Sequence, residues 1–205
     1  MGHKTHLWKP ERTIRAGPVL LYAPGGMESI GGQEGAARAG VRVEVPGSGR
    51  TNVASGVPVL DHLLGLLAAR AGLDLTLEVA PGSAEAELAA AGRGIGEALR
   101  ASLRAPGARG EGSGISPSGE ALAVVALEAS DRALVVSNVD FSRERVGGLG
   151  GDMVSSFLAQ LAEGAGLTLH VRLVEGEDRQ HVLEAIFKAL GAALGQACAP
   201  VNGRK

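Results

Sequence analysis

A nine-residue segment occurs twice in similar form, once in each half of the chain. Residues 71–79 read AGLDLTLEV and residues 165–173 read AGLTLHVRL. After the leading glycine, apolar residues recur at every second position, the pattern of a β-strand with one buried face. Each copy also follows a helix-like stretch of similar length. The repeat predicts a duplicated unit, so both halves of the chain share one order of strands and helices.

The first half predicts two strands, a helix, a strand and a helix. Residues 39–45 alternate apolar and polar side chains and run into a Pro-Gly-Ser-Gly turn, and residues 51–55 read as a short partner strand. Residues 57–71 change to helical spacing, with leucines on one face. Strict alternation over 73–79 predicts a strand, and the alanine-rich residues 84–103 predict a helix.

The second half repeats this order after a Gly-, Pro- and Ser-rich stretch at 105–119, which we predict to be a loop. Short turns between strands and helices predict that all helices lie on one sheet face of an α+β domain. The sequence therefore predicts an α+β fold made of a duplicated strand-helix-strand-helix unit. Its remaining elements are strands at 121–127, 133–139 and 167–174 and helices at 153–163 and 181–197.

Residues 1–26 differ from the rest in composition and are expected to form a flexible N-terminal arm. Within the arm, Trp8 and the apolar run at 19–22 are the side chains able to dock on a protein partner. Residues 27–205 form the predicted domain. Its halves span about 36–104 and 119–198.

Composition excludes several classes of protein. The net charge is −2 and aromatic residues make up 2% of the chain, so neither a basic field nor a stacking platform favours nucleic acid. No apolar run reaches the roughly 20 residues of a membrane helix, and the first 26 residues lack the uninterrupted apolar stretch and small-residue cleavage site that a secretory signal is expected to have. One cysteine, Cys198, allows no disulfide framework. We expect a cytoplasmic protein that binds neither nucleic acid nor membrane.

Four segments, taken in order, resemble the signatures of one enzyme family. They are SGVPVLDHLL at 55–64, FSRERVGGL at 141–149, AGLTLHV at 165–171 and HVLEAIFKA at 181–189. The sequence resembles imidazoleglycerol-phosphate dehydratase over roughly residues 35 to 198. The resemblance implies the duplicated α+β fold and a lyase of histidine biosynthesis that removes water from imidazole glycerol phosphate. It also implies paired manganese ions, held by His and Glu at subunit interfaces of a large homo-oligomer.

The metal-ligand positions that the resemblance implies are only partly kept. The family has a His-His-x-x-Glu segment at the start of a helix in each half. In the first half, residues 85–89 read EAELA, without a histidine, and in the second half residues 180–184 read QHVLE, with one. The acidic residue that the family has near its first strand falls at about Ala36. The chain therefore resembles a divergent member, whose remaining candidate ligands are His62, His170, His181 and Glu184.

Each candidate ligand also has a simpler structural interpretation, and the sequence leaves both open. His62 suits a helix-face histidine bonded to Asp61 or to backbone. His170 alternates with apolar neighbours and lies on the polar face of its strand, as a solvated or interface residue would. His181 and Glu184 lie one helical turn apart, where they can form a local ion pair.

Substrate-binding positions are better kept. Arg132 and Lys188 stand where the resemblance implies phosphate contacts, and a guanidinium with an ammonium suits a phosphate dianion. Lys188 also follows Glu184 by four residues, the spacing of a helix salt bridge. In the glycine-rich run at 107–114, Arg109 is the one cation available.

Three functions follow from these observations. The first is a non-catalytic homologue with a structural or regulatory role in an assembly and no expected cofactor. The second is an active dehydratase that binds residual manganese through the four candidate ligands and carboxylates such as Glu85 or Glu87. The third is a metal-free phosphate sensor using Arg132 and Lys188. Whether the protein is an enzyme stays open, and a homo-oligomer is expected in each case.

Overall fold

The structure is a computed structural model that describes residues 20–22, 39–140, 145–146 and 149–201. The strands are β1 Leu20–Tyr22, β2 Ala39–Glu44, β3 Thr51–Ala54, β4 Asp74–Val79, β5 Glu111–Ser118, β6 Ala121–Ala129, β7 Leu134–Ser137, β8 Arg145–Val146, β9 Leu149–Gly150 and β10 Leu167–Glu175. The helices are α1 Pro58–Ala71, α2 Ala84–Leu103, α3 Gly151–Ala165 and α4 Arg179–Cys198.

Local sequence explains where these elements begin and end. α1 starts at Pro58, whose ring presets the helical φ and whose missing N–H is not needed in a first turn. It ends at Gly72, which adopts a left-handed φ of 63°. In β4, Leu75 and Leu77 are buried and the intervening Thr76 is exposed, as alternation predicts.

The two halves have the same strand order and direction. In the first half, β4 lies between β2, which is antiparallel to it, and β3, which is parallel. In the second half, β10 lies between β6, antiparallel, and β7, parallel. The second sheet adds β5 beside β6 and β1 beside β7, and so has five strands. The predicted α+β fold with a repeated unit is confirmed.

All four helices lie between the two sheets. α1 and α2 cover one face of the three-stranded sheet, α3 and α4 cover one face of the five-stranded sheet, and α1 packs on α4 as α2 packs on α3. Glycines allow close contact, since a Cβ at Gly92 would lie 2.5 Å from the carbonyl oxygen of Phe157. Leu, Val and Ala fill most of the core, with stacked rings at Phe157 and Phe187, 5.5 Å apart.

The prediction of a loop at 105–119 is wrong for residues 111–118, which form β5. The inward positions of this strand are Gly112, Gly114, Ser116 and Ser118, so it lacks the apolar alternation that identifies the other strands. Small side chains are required there because α4 packs directly on β5. Pro117 is accommodated because β5 is an edge strand.

Part of the predicted arm pairs with the domain. Leu20–Tyr22 forms β1, antiparallel to β7, with Leu21 opposite Val136. Residues 20–22 of this apolar run therefore add a strand to the sheet of their own chain. The other residues of the arm, Trp8 among them, lie outside the described residues, as does Ala36.

Candidate functional site

Polar side chains gather where the start of α4 meets α1 and the turn between β5 and β6. The centre of this group is Glu184. Its Oε1 lies 3.2 Å from Nε2 of His62 and accepts a 3.1 Å hydrogen bond from Gln180. Its Oε2 accepts a 2.7 Å hydrogen bond from the hydroxyl of Ser118. The bond from Ser118, together with those from Gln180 and His62, lowers the pKa of Glu184 to about 2.

His181 belongs to a second group on the same helix turn. Its Nδ1 lies 2.5 Å from Oε2 of Glu120, while Oε1 of Glu120 accepts the backbone N–H groups of Glu177 and Asp178. The Asp178 N–H and the His181 ring lower the pKa of Glu120 to about 2. The hydrogen bond to Glu120 in turn raises the pKa of His181 above its usual value. Both groups therefore favour their charged forms.

These contacts differ from the simple pairings considered from sequence. His62 contacts Glu184, and Asp61 accepts hydrogen bonds from Ser55, so the contact between His62 and Asp61 that the sequence left open is not the one formed. His181 pairs with Glu120 across the chain, so the local ion pair with Glu184 is wrong. Helical spacing identifies neighbours on one helix, and here the closer partners come from other elements.

Lys188 extends the first group, and Arg132 lies elsewhere. The ammonium of Lys188 donates to Ser118 at 2.9 Å and lies 3.7 Å from Oε2 of Glu184. Ser118 is paired with Ala121 at the start of β6, whereas the exposed Arg132 follows the end of that nine-residue strand. At about 3.3 Å per residue, β6 separates them by roughly 30 Å. One chain therefore does not bring Arg132 and Lys188 to the same phosphate.

His170 is also separate from the group around Glu184. It is exposed in the middle of β10, opposite Ala126 and Val136, on the sheet face that points away from α4. Its position on the polar face of the strand agrees with the alternation in the sequence. His170 borders an open cavity of about 430 Å³. The other polar side chains that line this cavity are Arg109, Glu111, Ser113, Glu128, Thr168 and Gln196.

The carboxylates at the start of α2 serve their own helix. Ser83 is the N-cap and accepts the N–H of Ala86, and Glu87 accepts the N–H of Gly82 at 2.8 Å. Glu85 is exposed in the first turn, where a negative charge stabilises the helix N-terminus. Glu85 and Glu87 lie two residues apart and point from different sides of the helix.

A pair of manganese ions does not fit the side chains of a single described chain. Within residues 39–140 and 149–201, no three His, Cys, Asp or Glu side chains are grouped so that they could hold a metal ion. His62, His181 and Glu184 already have partners in the chain, and His170 lies on the other side of a sheet. Cys198 adds no ligand, because burial raises the pKa of its thiol to about 11.

Two residues of this site, Ser118 and Glu120, were not predicted from the sequence. Both flank Gly119, whose φ of 52° forms the tight turn between β5 and β6. Neither residue stands out from the pattern of the sequence, because β5 lacks apolar alternation and its residues are predicted to be a loop. A recognised hairpin at this place would have brought Glu120 close to the start of α4.

The two halves share one topology, and their helices pack between two sheets. The protein is therefore an α+β protein of two repeated half-domains, with a polar group at the start of its last helix. The chain belongs to the imidazoleglycerol-phosphate dehydratase family, whose model matches residues 55–194. The resemblance found in the motifs is therefore confirmed.

Relatives and solved structures agree with this membership. Imidazoleglycerol-phosphate dehydratase from Desulforudis audaxviator is 36% identical over 170 residues, 80% of this chain and 86% of that protein. The protein of the same name from Metallosphaera sedula is 34% identical over 162 residues, 77% of this chain and 84% of its own. The crystal structure of the Staphylococcus aureus dehydratase superposes with a TM-score of 0.73 at 29% identity, covering 80% of this chain and 95% of that one.

None of the helices in the described part of the chain is both long enough and apolar enough to cross a bilayer.

Proposed function

We propose that this chain is a non-catalytic member of the imidazoleglycerol-phosphate dehydratase family with a structural or regulatory role in an assembly. The start of α2 carries the proposal. Glu85 and Ala86 stand where the family resemblance implies adjacent imidazoles, and Ala89 stands where it implies the carboxylate. The nearby Glu87 accepts the N–H of Gly82, just before the helix. Two carboxylates on different helix faces do not reproduce a pair of histidines followed by a carboxylate. We therefore expect no cofactor.

The chemistry of the family explains why this loss matters. The resemblance implies a reaction in which manganese acts as a Lewis acid while a proton and hydroxide leave the substrate. Lys188 and Arg132 can bind an anion but do not replace a Lewis acid. Since metal affinity depends on the number and geometry of ligands, losing most of two ligand sets removes the catalytic centre.

An active dehydratase is the second candidate, favoured by the relatives at 33–36% identity that carry this name. In that case His62, His170, His181 and Glu184 would bind manganese together with side chains of neighbouring copies. The deciding experiment is turnover of imidazole glycerol phosphate by the purified full chain with added Mn²⁺. We expect no turnover. Activity that is lost in His181→Ala or Glu184→Gln would establish the active enzyme instead.

We infer that the assembly is a homo-oligomer held together without metal. Two large apolar side chains, Ile115 and Val174, are 66% and 54% exposed. Ile115 faces outward from β5, and apolar area of this kind is typical of subunit contacts. We expect light scattering to show the same oligomer with and without chelator. A monomer at micromolar concentration would contradict this, as would dissociation by chelator.

Phosphate sensing is the third candidate and depends on this assembly. Arg132 and Lys188 lie at opposite ends of β6, so joint binding of a phosphate requires residues of two copies. We also propose that the protein is cytoplasmic, that its two halves arose by duplication, and that the N-terminal arm contacts a protein partner. Weak phosphate binding without turnover would agree with it.

A further inference from the structure

We propose that His62, Ser118, Glu120, His181 and Glu184 form a metal-independent clamp that fixes the first turns of α4 to α1 and to the β5–β6 turn. We refer to these five residues as the α4 clamp. This inference rests on the proposed function, because it gives a structural role to positions where the family resemblance implies metal ligands.

The first half of the α4 clamp connects α4 to α1 and β5 through one carboxylate. The side chain of Glu184 is only 15% exposed, yet His62, Ser118 and Gln180 all contact its oxygens within 3.2 Å. Lys188 balances the charge from the next turn. A carboxylate that is mostly removed from water needs such partners, and the chain itself supplies them for Glu184.

The second half connects α4 to the β5–β6 turn through Glu120. One carboxylate oxygen accepts the N–H groups of Glu177 and Asp178, just before α4 begins, and the other contacts the ring of His181. Gly119 makes this possible, because any Cβ at Gly119 would collide with the His181 ring. The turn and the first turn of the helix therefore fit each other closely.

The α4 clamp acts where α4 enters the core. Val182 and Leu183 are buried immediately after His181, and α4 goes on to pack against α1, β5 and β6. Contacts on two sides of the first turn therefore set the direction in which α4 runs between α1 and the strands β5 and β6. The contacts that do this are hydrogen bonds and ion pairs within the chain itself, made by side chains and by the backbone N–H groups of Glu177 and Asp178.

The test is a double-mutant cycle of Glu120→Ala and His181→Ala in the full chain, followed by thermal unfolding with chelator and with Mn²⁺. We expect each single variant to unfold at a lower temperature than the parent. Glu120→Ala should have the larger effect, because Glu120 also accepts the N–H groups of Glu177 and Asp178. The double variant should unfold at nearly the same temperature as Glu120→Ala, because that change alone already removes the contact with His181. All values should be the same in chelator and in Mn²⁺. Glu85→Ala, a first-turn carboxylate of α2 outside the clamp, is the matched control.

Additive effects of the two changes would overturn the clamp, and so would a parent whose unfolding temperature rises in Mn²⁺ and falls in chelator. If the alanine variants do not fold, Glu120→Gln replaces Glu120→Ala in the first cycle. A second cycle, of His62→Ala and Glu184→Gln, gives the same readout for the other half of the α4 clamp. The coupling between two substitutions is measured by thermal unfolding, so it does not depend on whether the chain turns over a substrate. If the chain turns over the substrate and the coupling persists in chelator, the proposed function is rejected and the α4 clamp is kept. If there is no turnover and the two substitutions have additive effects, the α4 clamp is rejected and the proposed function is kept.

Discussion

Arg104, the residue that follows α2, joins two helices and a turn. Its Nη1 donates to the carbonyl oxygen of Ala165 at 2.6 Å, and its Nη2 donates to that of Gly166 at 3.1 Å and to Asp131 at 2.7 Å. Ala165 and Gly166 end α3, which has no basic residue in its own last turn. Arg104 therefore supplies the positive group that a helix C-terminus favours.

We expect Arg104→Ala to lower the free energy of unfolding by about 2–3 kcal/mol. A hydrogen bond from a charged donor contributes about 1.5–3 kcal/mol. The two bonds to carbonyl oxygens share one guanidinium, and the Arg104 side chain is 28% exposed, so together they should contribute about 2–3 kcal/mol. The pair with Asp131, which is 78% exposed, adds at most about 0.5 kcal/mol. For a chain of this size the melting temperature should fall by about 4–12 °C.

Urea and thermal unfolding at neutral pH measure this loss. Arg104→Lys should give an intermediate value, because one ammonium cannot reach both carbonyl oxygens in the way a guanidinium does. Asp131→Asn is the control for the ion pair, since asparagine tolerates the φ of 58° at this position. The reasoning fails if Arg104→Ala unfolds within about 0.5 kcal/mol of the parent, or if Asp131→Asn costs as much as Arg104→Ala.

Two further substitutions test packing and electrostatics. Gly114→Ala places a methyl group against the backbone of α4 and should cost about 1–3 kcal/mol in urea unfolding, whereas outward-facing Ser113→Ala should stay within about 0.5 kcal/mol of the parent. Hydrogen bonds from Arg50 and Ser48 hold the pKa of Asp74 well below its usual value, so its stabilising effect is present above about pH 4 and is lost in acid. Asp74→Asn should therefore lower the melting temperature at pH 7, with a difference that shrinks toward about pH 2. A difference that is the same at both pH values would contradict this.

Most of the fold could be predicted because its hydrophobic pattern is clear. The alternation at 73–79 and the leucine face of α1 correctly indicate which side chains are buried. β5 could not be predicted in this way, because α4 packs so closely on Gly112 and Gly114 that apolar side chains are excluded from its inner face. The alternating apolar pattern that identifies a buried strand is absent where the inward positions are glycines.

The site was harder to predict for a related reason. Sequence spacing correctly relates Lys188 to Glu184 on one helix, and these side chains do approach each other. It does not show that Glu120 reaches His181, because that contact depends on a turn and a helix meeting in three dimensions. The separation of His170 from the other candidate ligands likewise follows from which face of the sheet α4 covers.

Metal analysis of the purified full chain tests the central claim most directly. The protein is incubated with excess Mn²⁺, passed over a desalting column, and its metal content per chain is measured by plasma mass spectrometry. The account predicts far less than one manganese per chain, before and after incubation, with no change in His62→Ala. About one or two ions per chain, lost on substitution of His62 or His181, would show that the dimetal centre is present and contradict the account.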